Sequence, residues 1–148
     1  MKREQYDPSQ PAEKDERFPS GPWTGFWLQP PLSGRQWMRD FWLHFFEGKV
    51  EGAGSDWVGE FIFRGTYELA SGKCELIKTY LESHEVEYTG QNEGDGKWLW
   101  GVWQLRSGYD RGGFHMWPKG QADPTQQRLA EEVDVPVEQE APVLVENA

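Results

Sequence analysis

The chain has 148 residues and a formal net charge of −10 at neutral pH, one domain's worth of protein with a strong acidic excess. The acidity argues against a partner that presents nucleic-acid phosphates, and no window reaches the roughly 18 apolar residues of a membrane span. Only 36% of residues are hydrophobic, yet nine are Trp and eight are Phe, and every Trp falls between Trp23 and Trp117.

Residues 1–20 open on "MKREQYDPSQPAEKDER", charged, proline-containing and with one aromatic, Tyr6. Such a stretch buries too little surface to offset the entropy of ordering, so a disordered segment is expected. It also lacks the apolar central run of a signal peptide. With a single cysteine, Cys74, no internal disulfide can form, and a cytoplasmic setting is expected.

Between residues 21 and 118 glycine recurs at short intervals. "FEGKVEG", "ASGKC", "NEGDGKW" and "SGYDRGG" each resemble a hairpin connection between β-branched and aromatic runs. Antiparallel strands are predicted at Trp23–Gln29, Gln36–Phe46, Lys49–Gly54, Gly59–Leu69, Lys73–Leu81, His84–Gly90, Lys97–Leu105 and Gly113–Trp117. Alternation assigns their faces. The second strand offers Trp37, Arg39, Phe41, Leu43 and Phe45 as an inner face. The fourth offers Phe61, Phe63 and Tyr67, and the fifth Cys74, Leu76, Lys78 and Tyr80. The sixth puts His84, Val86 and Tyr88 on one side. The seventh, "KWLWGVWQL", is apolar on both faces, which predicts an outer cover or an exposed aromatic patch.

Short strands in succession, joined by tight turns, solve their edge problem by closing. The fold class expected is therefore all-β, an antiparallel up-and-down meander closing into a roughly eight-stranded barrel with disordered N- and C-terminal tails. Glycines within strands, at 25, 52, 54, 65, 90 and 101, suit the bends of a small barrel. Residues 119–148 read as an acidic, mostly disordered tail. A short helix is possible at "DPTQQRLAEEV", where Asp123 can cap and Pro124 suits the first helical position.

"GPWTGFW" resembles the G-x-W opening of the calycin barrels, the lipocalins and their relatives, with Gly21 and Trp23 at the motif positions. That resemblance implies an eight-stranded antiparallel barrel that holds a small apolar ligand, with Trp23 sealing one end. The chain departs from secreted lipocalins in having no signal peptide, no disulfide and no clear long helix after the last strand. "YTG" at Tyr88–Gly90 is similar to MORN-type meanders, but its spacing does not repeat.

The reading of function follows the inner face. Lys78, Tyr80, His84 and Tyr88, with Asp56 and Arg39, form a candidate polar set, because buried polar groups converging in an aromatic cavity are the usual form of a small-molecule site. Trp27, Phe41, Phe61, Phe63 and Trp103 are the candidate walls. The bland alternative makes the tyrosines core residues and lets Lys78 reach out to solvent. His44, His84 and His115 have no metal-ligand spacing, "NEGDGKW" lacks the spacing of a calcium loop, and no cofactor is expected. Three readings stay open. The first is a cytoplasmic lipocalin-like barrel binding a small apolar or aromatic ligand. The second is a structural or protein-interaction module with a filled core, whose partner meets Trp42, Trp98 and Trp100 or the acidic tail. The third is a barrel-type isomerase or cyclase using His84 or Lys78, where a Schiff base at Lys78 would require burial.

Overall fold

The computed structural model describes residues 5–30, 34–81, 83–92, 97–105 and 110–125. Eight strands among them run in chain order around a closed barrel, each antiparallel to the next. They are β1 (Gly21–Trp27), β2 (Gln36–Phe46), β3 (Lys49–Ser55), β4 (Glu60–Tyr67), β5 (Lys73–Tyr80), β6 (Glu85–Asn92), β7 (Leu99–Leu105) and β8 (Arg111–Pro118). β8 returns to β1, with Trp23 opposite Pro118 and Trp27 opposite Phe114, and this leaves no open edge among the described strands. The architecture is the one expected from turn spacing, and it is consistent with a calycin-like barrel. The tightest turn, between β2 and β3, uses Glu47 and Gly48 at φ of 52° and 82°. Both residues are left-handed there, which matches the strand twist.

Alternation places Phe61, Phe63 and Tyr67 of β4, Leu76, Lys78 and Tyr80 of β5, and Val86 and Tyr88 of β6 inside, all buried. β7 turns Leu99 and Trp103 inward and leaves Trp100 and Val102 39% and 50% exposed. Its second apolar face is therefore an outer patch.

β2 departs from the expected faces. Its pairing with β1 steps from Phe41 opposite Trp23 to Met38 opposite Gly25, so three residues of β2 span two of β1. This bulge reverses the alternation beyond it. Met38 is fully buried, whereas Arg39 is exposed, with its guanidinium 4.9 Å from the centre of the Trp37 ring. Arg39 is thus not an interior residue.

Residues 5–20, expected to be disordered, lie against one end of the barrel as a strap. Phe18 is fully buried, its ring 5.3 Å from that of Phe45 and 4.8 Å from that of Tyr67. The Glu13 amide donates to the Phe45 carbonyl at 2.7 Å, and the Tyr67 hydroxyl donates to the Glu13 carboxylate at 2.5 Å. The Asn92 amide donates to the Arg17 carbonyl at 2.6 Å. Local composition misses this docking because the partners come from β2, β4 and β6. Trp23 is fully buried at the same end and donates to the Pro19 carbonyl at 2.9 Å, the sealing place that the G-x-W resemblance implies.

At the other terminus, residues 119–125 are also tied down. The Lys119 amide donates to the Pro22 carbonyl at 3.0 Å, and Arg35 pairs with Asp123 at 3.1 Å. Asp123 accepts from the Thr125 amide at 2.8 Å, as a cap does. The rest of the acidic tail lies outside the described residues.

Candidate functional site

The strap closes the end bearing the β2–β3 and β4–β5 turns. The opposite end, here called the upper end, carries the β3–β4 and β5–β6 turns, and it concentrates the interior polar groups. Alternation along β5 brings Lys78 inward, where 1% of its side chain is exposed. A lysine so placed must keep its ammonium compensated, since desolvating an ion costs several kcal/mol. Asp56, the residue after β3, supplies the counter-charge with a side chain that is 0% exposed and an oxygen 2.8 Å from Lys78 Nζ.

The Asp56 carboxylate collects donors from three directions. Its Oδ2 accepts from Lys78, from the Tyr80 hydroxyl at 2.7 Å and from the Trp27 indole N–H at 3.3 Å. Its Oδ1 accepts from the Val58 and Gly59 amides, at 2.9 and 3.4 Å, within the turn itself. The three ammonium protons of Lys78 face Asp56, the Tyr88 hydroxyl at 3.3 Å and the Met38 sulfur at 3.2 Å. Rings surround the cation, with the centre of Phe61 at 4.3 Å, Tyr80 at 4.8 Å, Tyr88 at 5.6 Å and Trp27 at 5.7 Å.

Electrostatics follow from this burial. Desolvation pulls the Lys78 ammonium down to about 8, with Asp56 resisting the fall. Burial, reinforced by the Asp56 charge, pushes both Tyr80 and Tyr88 above the ordinary phenol value. At neutral pH the lysine is charged and both phenols keep their protons, Tyr80 donating to Asp56 and Tyr88 accepting from Lys78. Cys74 is buried near the start of β5, and desolvation pushes its thiol up to about 12, so it is a poor nucleophile.

Above the cluster stands Trp57, 67% exposed, its ring stacked on that of Trp27 at 6.4 Å and 25°. Trp27 in turn meets Trp103 edge-on at 5.9 Å. Trp57 donates to the Gln36 side chain at 2.9 Å, which fixes the indole against the barrel.

The structure therefore joins Trp27, Lys78, Tyr80, Tyr88 and Asp56 in one network with Trp103 adjoining. Phe41, Phe61 and Phe63 pack on one another at ring separations of 5.2–6.3 Å, so their rings fill the interior among themselves. His84 differs from its expected place. It precedes β6 in the β5–β6 turn, is exposed, bonds the Ser83 hydroxyl at 2.8 Å, and rests its ring 5.1 Å from Tyr80 at the rim. Trp57 and Met38 were not foreseen. A tryptophan in the turn sequence "SDWVG" was the available signal for the first, and the β2 bulge hid the second. Of the proposed partner surface, Trp42 lies partly under Tyr6, ring to ring at 5.5 Å, beside a groove of about 260 Å³ lined also by Pro22, Asp40 and Lys119. Among the described residues no His, Cys, Asp and Glu group could hold a metal ion, and no helix is long and apolar enough to cross a membrane.

Comparison with family models, with curated proteins and with solved structures finds no match.

Proposed function

We propose that the barrel binds a small, flat aromatic molecule at its upper end, stacked on Trp57 with Trp27 and Trp103 beneath and the Asp56–Lys78 network as the polar floor. The observation that carries this reading is the buried ion pair directly below an exposed tryptophan. A buried pair is a weak stabiliser, and packed apolar residues in its place often serve stability as well or better. Perturbed titratable groups set among aromatic rings at a barrel end are instead the usual furniture of a small-molecule site.

The test is a panel of flat aromatics, acids and neutral compounds, followed by ligand-observed NMR on wild type and on Trp57→Ala. Binding that disappears in Trp57→Ala, with the unfolding transition unmoved, supports the reading. Equal binding by the variant, or none by wild type, sinks it.

A protein-interaction module is the second reading. It is favoured by the mutual packing of the interior rings and by the apolar outer face of β7, where Trp100 and Val102 stand 39% and 50% exposed. The isomerase or cyclase reading is weakened because His84 stays at the rim and Lys78 is committed to Asp56.

A further inference from the structure

We infer that the Asp56 carboxylate occupies an anion site built into the strands, and that a ligand carrying a carboxylate on a flat ring displaces it and takes its place. This rests on the upper-end reading and gives that site its ligand class.

The donors and the acceptor have different origins. Trp27, Lys78 and Tyr80 belong to β1 and β5, strands held on both sides by the closed barrel. Asp56 belongs to a four-residue turn, closed on itself by reciprocal backbone bonds between Asp56 and Gly59 at 3.0 and 3.1 Å. The backbone of Asp56 lies at the surface while its carboxylate is fully buried. The acid group is delivered into the strands from outside, as a ligand's would be. What it meets is an ammonium, a phenol and an indole N–H converging on one oxygen, a donor set that only an anionic acceptor satisfies.

The next residue completes the picture. Asp56 places its carboxylate on the donors and Trp57 lays its indole on Trp27. Asp56 and Trp57 together present an acid and an aromatic ring side by side, which is the chemistry of an aryl carboxylate. Exchange by such a ligand conserves the charge opposite Lys78 and each hydrogen bond to Oδ2, so the penalty of leaving a buried cation unpaired never arises. The displaced Asp56 side chain gives up the Val58 and Gly59 amide bonds to Oδ1, water satisfies those groups, and the turn backbone keeps Trp57 on Trp27.

The experiment has two arms. In the first, the full chain carrying Asp56→Ala is unfolded thermally in formate, acetate, acetamide and chloride at fixed ionic strength. The expected result is a saturable rise of the transition with formate and acetate only, absent in Asp56→Asn, where the amide fills the space, and absent in Asp56→Ala combined with Lys78→Met. In the second, wild type is titrated with 2-naphthoate and 2-naphthamide by ligand-observed NMR. The acid is expected to bind about tenfold tighter or more, the worth of a charge-assisted hydrogen bond. Asp56→Ala indifferent to carboxylates overturns the anion site. Equal binding of acid and amide to wild type overturns the exchange while leaving the stacking site intact. Binding of neither to wild type overturns the upper-end reading itself. If Asp56→Ala does not fold, the acid-to-amide ratio on wild type decides alone.

Discussion

At the residue scale, Lys78 and Asp56 depend on each other more than the barrel depends on either. Removing one partner strands a buried charge, so Lys78→Met and Asp56→Asn are each expected to cost about 3–5 kcal/mol. Lys78→Met with Asp56→Asn removes both charges yet keeps an acceptor for the turn amides. It is expected to recover most of that loss in chemical denaturation, a coupling that a double-mutant cycle measures directly. Simple addition of the single losses would show that the two residues act apart.

The same lysine leaves a signature in pH. Between about 8 and its ordinary value of 10.5, the unfolded chain holds a proton on Lys78 that the native barrel has released. Stability therefore rises with pH across that window, by up to about 1.4 kcal/mol per unit. Cys74, pushed up to about 12 from 9.0, acts the other way, because the unfolded chain gives up its proton first. Subtracting the stability curve of Lys78→Met from that of wild type isolates the lysine. The difference is expected to climb from pH 8 to 10.5, and a flat difference would mean that the native ammonium titrates as it does in water.

At the scale of strands, glycine decides how closely neighbours approach. A Cβ at Gly65 of β4 would fall 1.8 Å from the Glu75 carbonyl oxygen on β5, backbone that cannot yield without parting the pair. At Gly113 of β8 the nearest atom would be 3.7 Å away, an ordinary contact. Gly65→Ala is expected to cost at least about 1–3 kcal/mol, as overpacking does, and Gly113→Ala much less. Similar melting temperatures for the two would contradict the β4–β5 spacing. Such strands are legible in sequence, because period two and turn glycines are local signals. Most of the inward set was legible too, from Phe61 to Tyr88. What escaped was non-local. The β2 bulge that expels Arg39 is a property of its pairing with β1, invisible in β2 alone. His84 missed the interior because the strand begins one residue later, and one residue is enough to place it in the turn. Trp57 escaped because an exposed aromatic in a turn has no period to betray it.

At the scale of the molecule, the strap of residues 5–20 is part of the folded body. Phe18→Ala is expected to cost about 3–5 kcal/mol, like other fully buried aromatics, and to open the preceding residues to trypsin at Lys14 and Arg17. Wild type is expected to resist cleavage there under native conditions. Rapid native cleavage would mean that the strap lifts freely. The strap and the upper-end network sit at opposite ends, so Phe18→Ala is expected to leave binding at Trp57 unchanged once the protein is folded.

The seam between β1 and β8 also sets the order of events at the ribosome. β1 emerges before the other seven strands, yet Trp23 to Trp27 lack one flank until Phe114 to Pro118 have been made. Each later hairpin can form as it appears, but the circle cannot shut before nearly the whole barrel sequence is out. Through that interval the nascent chain presents an aromatic strand edge to whatever is near it, and the speed of elongation, rather than any single contact, limits how long it stays exposed.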